Sequence, residues 1–117
     1  MTPFGFKVRE LRTGKGITLK EMAAALEVSS AYLSALEHGR RGRPTRYQVQ
    51  RICEYFNIIW DDAEELERLA ALSHPRVTVD TAGLSAEATE LANRLSQKIR
   101  KLPPEKIERL LVELREG

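Results

Sequence analysis

Two helix-start signals lie eleven residues apart, at Thr18 and Ser29, and a glycine stops the second segment at Gly39. Thr18-Leu19-Lys20-Glu21 has the spacing of a capping box, which opens a helix carrying Leu19, Met22, Ala23 and Leu26 on one face. Ser29 opens the next, with Leu33 and Leu36 inward and Gly39 as its C-terminal stop. Helices this short are not stable alone in water, so both apolar faces must be covered by other parts of the chain. Ala23 is small where the two would meet, and Val28, Leu33 and Leu36 pin the second helix from within. Ser29, Ser30, Ala31, Tyr32, Ser34 and Ala35 are left for its outer side. The Tyr32 ring is expected to be exposed, because Leu33 and Leu36 already fill the inner side.

The flanking segments supply the cover. Phe6, Val8 and Leu11 mark a first helix that ends at Thr13-Gly14-Lys15-Gly16. Thr45 caps a fourth with Val49, Ile52, Cys53 and Phe56 on one side. Ile58, Ile59 and Trp60 make a short connection, and Asp61 and Asp62 suit the positive end of a fifth helix with Leu66, Leu69, Ala70 and Leu72 inward. Composition changes at Ser73-His74-Pro75, where Val77 and Val79 alternate with Thr78 and Asp80 in a pattern that admits a short strand near 76–80. Ser85 then caps a helix with Ala88, Leu91, Ala92, Leu95, Ile99 and Leu102 along one side, and Pro103-Pro104 starts a last one with Ile107, Leu110, Leu111 and Leu114. The expected architecture is all-α: a five-helix domain over 1–73, a linker over 74–84 and a two-helix hairpin over 85–117. The hairpin stripes need a partner. Leu91, Leu95, Ile99, Ile107, Leu110, Leu111 and Leu114 are expected to dimerise, with docking on another protein or on the front domain as the alternatives.

Charge is distributed unevenly. Residues 1–57 carry ten Lys or Arg against five acids, whereas the remainder is net acidic, with Asp61, Asp62, Glu64, Glu65 and Glu67 crowded together. A polyanion-binding front half joined to a back half that stays off the polyanion fits this division. Behind the second short helix, Arg40-Arg41-Gly42-Arg43-Pro44 forms a basic loop suited, with Thr45 and Arg46, to phosphate oxygens. Thr18, Lys20 and His38 complete the candidate phosphate-binding set.

The chemistry of an enzyme is not visible. His38 and His74 lack Cys or His neighbours at ligand spacing, so neither a metal nor a cofactor is expected, and there is no phosphate loop or nucleophile elbow. Cys53 lies on an apolar helix face, where a buried thiol is inert. No stretch approaches a membrane span, and the sequence begins without a secretory signal, so a cytoplasmic, nucleoid-associated location is expected.

Thr18 to Pro44 resembles the lambda-repressor-like (Xre-type) family of helix-turn-helix regulators, and a looser similarity runs over residues 4–58. Its most specific part is Leu33-Ser34-Ala35-Leu36-Glu37-His38-Gly39-Arg40. The resemblance implies five packed helices, a structural ion pair between Arg12 and Glu37, and repression by a homodimer on a palindromic duplex operator. It also places Ser29, Ser30, Ala31, Tyr32, Ser34 and Ala35 against base edges. A rival reading is an antitoxin-like or adaptor protein that binds another protein through its C-terminal helices, with autoregulatory DNA binding. Two positions depart from the family pattern. Leu19 stands where Gln is common, and Glu27 where the turn often has Gly. A left-handed conformation at Glu27 would cost on the order of 1 kcal/mol.

Overall fold

The computed structural model describes residues 1–40 and 42–116. The described residues are all-helical with no strand, and they fall into two compact units, Met1–Val77 and Thr78–Gly117. The first unit holds α1 (Pro3–Gly14), α2 (Leu19–Ala25), α3 (Ser30–His38), α4 (Arg46–Phe56) and α5 (Trp60–Ala71). The second holds α6 (Ala86–Lys98), a 3-10 turn at Ile99–Lys101 and α7 (Pro104–Arg115). The extended pattern near 76–80 forms no strand, because a lone run with no neighbouring edge has nothing to pair with.

Start signals explain most of the helix positions. Thr18, Ser29, Thr45 and Ser85 each accept a hydrogen bond from the amide three residues on, and Thr18 and Thr45 complete full capping boxes with Glu21 and Gln48. α1 begins three residues before Phe6, since Thr2 caps it and Pro3 fills its first turn. Its buried face is therefore Phe4 and Val8, with Leu11 partly covered, and Phe6 points to solvent.

One core closes the first unit. Phe4, Val8, Met22, Leu33, Ile52 and Leu66 are almost wholly buried, joined by Leu36, Val49, Phe56 and Ala70. α3 packs between α1 and α2, and α5 lies against α1 and α4. The α1–α3 approach is close enough to require glycine: a Cβ at Gly5 would sit 1.8 Å from the Glu37 carbonyl oxygen. That carbonyl accepts from the Thr2 amide at 3.2 Å. At the other end, the buried Ser73 hydroxyl accepts from the Phe4 amide at 2.9 Å and donates to Leu69 O at 2.6 Å, tying the end of α5 to the start of α1. Leu72, expected inward, is exposed, because the chain leaves helical geometry at that residue.

In the second unit neither α6 nor α7 has a buried residue. The 3-10 turn interrupts what the sequence pattern suggested was one run to Leu102. Before α6, the Thr81 and Thr89 hydroxyls hydrogen-bond at 2.9 Å, and Leu84 N donates to Thr81 O, which sets the entry to the helix.

Candidate nucleic-acid interface

The turn between α2 and α3 decides how α3 is presented. Glu27 adopts the left-handed conformation with φ 59°, so the chain turns without a glycine. Val28 N donates to Ala23 O at 3.0 Å across that turn. Ser29 then caps α3, its hydroxyl oxygen accepting from Tyr32 N, and Gly39 ends the helix at φ 76°. Three turns of backbone are thus held at both ends.

The inner side of α3 is fixed by packing and by charge. Leu33 and Leu36 are buried, and Glu37 is buried beside them. Arg12 Nε lies 3.6 Å from Glu37 Oε2, and Arg12 also donates to Ile17 O at 3.3 Å. Neither Arg12 Nε nor Glu37 Oε2 makes a hydrogen bond, so the pair is held by charge at contact distance. Removing one partner would strand the other away from water, which makes such a pair a strong constraint on the α1–α3 register.

On the outer side Ser29, Ser30, Ala31 and His38 are exposed, and Ser34 and Ala35 are half-buried. Tyr32 is half-buried rather than exposed: it turns toward α4, where the Gln48 side-chain amide donates to its hydroxyl. The ring lines a cavity of about 190 Å³ with Leu26, Val28, Leu33, Gln48 and Ile52. Gln48 is the residue that sequence reasoning missed. Its backbone amide bonds the Thr45 hydroxyl, and its side chain accepts from Thr45 N at 2.7 Å while reaching Tyr32. The Thr45-x-x-Gln48 spacing, the same as Thr18-x-x-Glu21, was the available signal.

The basic loop follows directly. Arg40 N donates to Ala35 O, Gly42 N donates to Gly39 O with Gly42 at φ 79°, and Pro44 is buried. Arg40, Arg43 and Arg46 are exposed along this segment, and Arg41 lies outside the described residues. Lys20 is exposed on α2, the Thr18 hydroxyl is engaged with Glu21 at 3.0 Å, and His38 Nδ1 is 2.9 Å from Ser34 O. Thr45 is exposed and caps α4.

Among the described residues no group of three or more His, Cys, Asp or Glu could hold a metal, and no helix is long and apolar enough to cross a membrane. Burial, with Glu67 and Glu54 nearby, raises the Cys53 thiol above its ordinary pKa.

A helix-turn-helix domain family matches residues 3–69. The HTH-type transcriptional regulator RghRB of Bacillus subtilis is 31% identical over 62 residues, which are 53% of this chain and 45% of that protein. The HTH-type transcriptional activator BcrR of Enterococcus faecalis is 33% identical over 70 residues, 60% of this chain and 34% of its own length. The HTH-type transcriptional repressor RghR of Bacillus subtilis is 29% identical over 97 residues, 80% of this chain and 72% of that protein. The chain thus spans less than half of RghRB and about a third of BcrR. No solved structure matches it significantly. With the family match covering more than half of the chain and the helix pair built as described, this protein belongs to the helix-turn-helix family of lambda-repressor-like, Xre-type regulators.

Proposed function

We propose that the chain is a sequence-specific, double-stranded-DNA-binding transcriptional regulator, a repressor that occupies a palindromic operator as a homodimer. One observation carries the reading. α3 is pinned from behind by Leu33, Leu36 and the Arg12–Glu37 pair, while Ser30 and Ala31 stay exposed, Ser34 and Ala35 are half-buried, and the exposed Arg40, Arg43 and Arg46 follow it in the chain up to the first turn of α4. A major groove about 12 Å wide admits a helix offered in this way.

In this reading Ser30, Ser34 and the free proton of Ser29 meet base edges, Ala31 and Ala35 meet thymine methyls, and Tyr32 braces the reading helix from its α4 side. Arg40, Arg41, Arg43, Thr45 and Arg46, with Thr18, Lys20 and His38, lie along phosphates. The reading side has no Arg or Asn for bidentate base contacts, so duplex shape supplies part of the selectivity. Repression is favoured over activation because similarity to RghR, named a repressor, extends over more of the chain than similarity to BcrR, named an activator. The unburied stripes of α6 and α7, with Leu91, Leu95, Ile99, Ile107, Leu110, Leu111 and Leu114, form the dimer seam. The protein works at the nucleoid and carries out no covalent chemistry.

Selection of bound fragments from random duplexes tests this directly. The expected product is a palindrome with half-sites about 34 Å apart, bound with log affinity falling linearly with log salt. Purified protein that ignores duplexes even in dilute salt would sink the DNA reading. An unpaired half-site would sink the dimer, and a stoichiometric second polypeptide held through residues 76–117 would replace it with a protein partner.

A further inference from the structure

Gln48 uses both ends of its side-chain amide. Its Oε1 accepts from Thr45 N at 2.7 Å, and its Nε2 donates to the hydroxyl of Tyr32 on α3. The orientation is forced, because a backbone N–H can only donate: the atom facing Thr45 must be the oxygen, and the nitrogen is left for Tyr32. Gln48 N also donates to the Thr45 hydroxyl at 3.1 Å, so the residue that closes the capping box of α4 is the one that reaches α3.

The place where this bond crosses gives it weight. α3 is in close contact with α1 and α2, and Leu33, Leu36 and Glu37 are its buried residues. Toward α4, the cavity of about 190 Å³ intervenes, lined by Tyr32, Leu33 and Leu36 of α3 and by Gln48 and Ile52 of α4. Side chains that line a gap lack partner atoms on one side, so packing there holds α3 less firmly than on its filled side. Tyr32 belongs to the first turn of α3, between Ala31 and Ser34 of the proposed reading side, and any shift of the ring carries that turn with it. At the other end of the amide, Thr45 and Arg46 belong to the proposed phosphate-binding set.

We propose that Gln48 is a positioning residue for site selection: held on α4 by Thr45, it fixes through Tyr32 the placement of α3 relative to the start of α4. The inference rests on the DNA reading above and gives a specificity role to a side chain that touches no base. A grip on phosphates by Thr45 and Arg46 sets where α4 lies on the duplex, and the amide passes that setting to α3. Groups that recognise a ligand must be held to within about 0.5 Å, so a loosened Tyr32 costs discrimination before it costs binding.

Binding of the full chain to its selected duplex, and to duplexes altered at single base pairs, tests this over a salt series, with thermal midpoints measured alongside. Gln48→Met and Tyr32→Phe should each narrow the affinity ratio between selected and altered duplexes by about threefold to tenfold, the worth of one hydrogen bond. The double variant should narrow it no further than either alone, and the salt slope should stay that of the parent. Gln48→Glu should keep the ratio, because a carboxylate can accept from Thr45 N with one oxygen and from the Tyr32 hydroxyl with the other. It also keeps the α4 capping box, so should Gln48→Met unfold, Tyr32→Phe added to Gln48→Glu decides: a narrowed ratio supports the tie and an unchanged one overturns it. Equal loss on every duplex would overturn the proposal and leave Gln48 as a cap of α4. Additive effects would overturn it, as would a Gln48→Glu chain no more selective than Gln48→Met. A preference changed by Tyr32→Phe but not by Gln48→Met would overturn it too, since the hydroxyl would then meet bases itself. A parent chain that binds no duplex in dilute salt would overturn the DNA reading and this role together.

Discussion

Gly5 shows how tightly one residue can govern the reading helix. A methyl group there would fall inside the Glu37 carbonyl oxygen, at a point where α1 and α3 touch through backbone. Gly5→Ala must therefore push the two helices apart, loosening the Thr2–Glu37 bond and the Arg12–Glu37 pair together. The expected loss is about 1 to 3 kcal/mol, the range for overpacking a filled core, read as a fall in the thermal midpoint. Cys53 makes a different kind of claim. Burial is the main cause of its raised pKa, with Glu67 and Glu54 adding to it, so the folded thiol keeps its proton where the unfolded one has lost it. Its contribution to stability is full below the unfolded value of roughly 8.5 and is lost as pH rises through the raised folded value. Alkylation at mildly alkaline pH should be slow in the native protein and fast in denaturant. Equal rates would mean the thiol is not shielded.

At the scale of elements, the proposed reading divides the labour of binding between α3 and the loop behind it. Arg43→Ala removes an exposed cation that this reading assigns to phosphate, so affinity should fall for all duplexes alike and the salt slope should flatten by about one. Ser30→Ala should instead change which site is preferred, by about 1 to 3 kcal/mol at the affected position. Uniform loss from both substitutions, measured by binding to a panel of duplexes over a salt series, would contradict this division. The starts of α2, α3, α4 and α6 were legible because a side-chain oxygen next to the first turn is a local signal, independent of what the helix later packs on. The Thr2-Pro3 start is equally local, whereas the apolar character of Phe6 does not say which way its ring faces. Other features depended on neighbours distant in sequence. Tyr32 turns inward because Gln48, sixteen residues on, offers its amide, and Gly5 matters only because α3 arrives beside it. Trp60 begins α5 at φ 55° and stays 81% exposed, which its large apolar ring did not foretell.

For the whole molecule, the division of labour lies between a unit with a complete core and one without. Met1–Val77 encloses the buried cluster from Phe4 to Ala70, together with the candidate base-reading and phosphate-binding residues that the structure describes. Thr78 onward contributes two amphipathic helices with no buried residue. A chain ending at Val77 should therefore still melt in one cooperative transition, since its core and the Phe4–Ser73 tie are intact. Its grip on a palindrome should fall on the order of 10²- to 10⁴-fold, because joining two modest binders makes the second contact intramolecular and truncation removes that link. Binding to an isolated half-site should hardly change, since α3 and the basic loop would be as before. Titration of the truncated and full chains against whole and half operators separates the two effects. Equal losses on both would place the C-terminal helices in DNA contact itself, and no loss on either would mean that the front unit dimerises unaided.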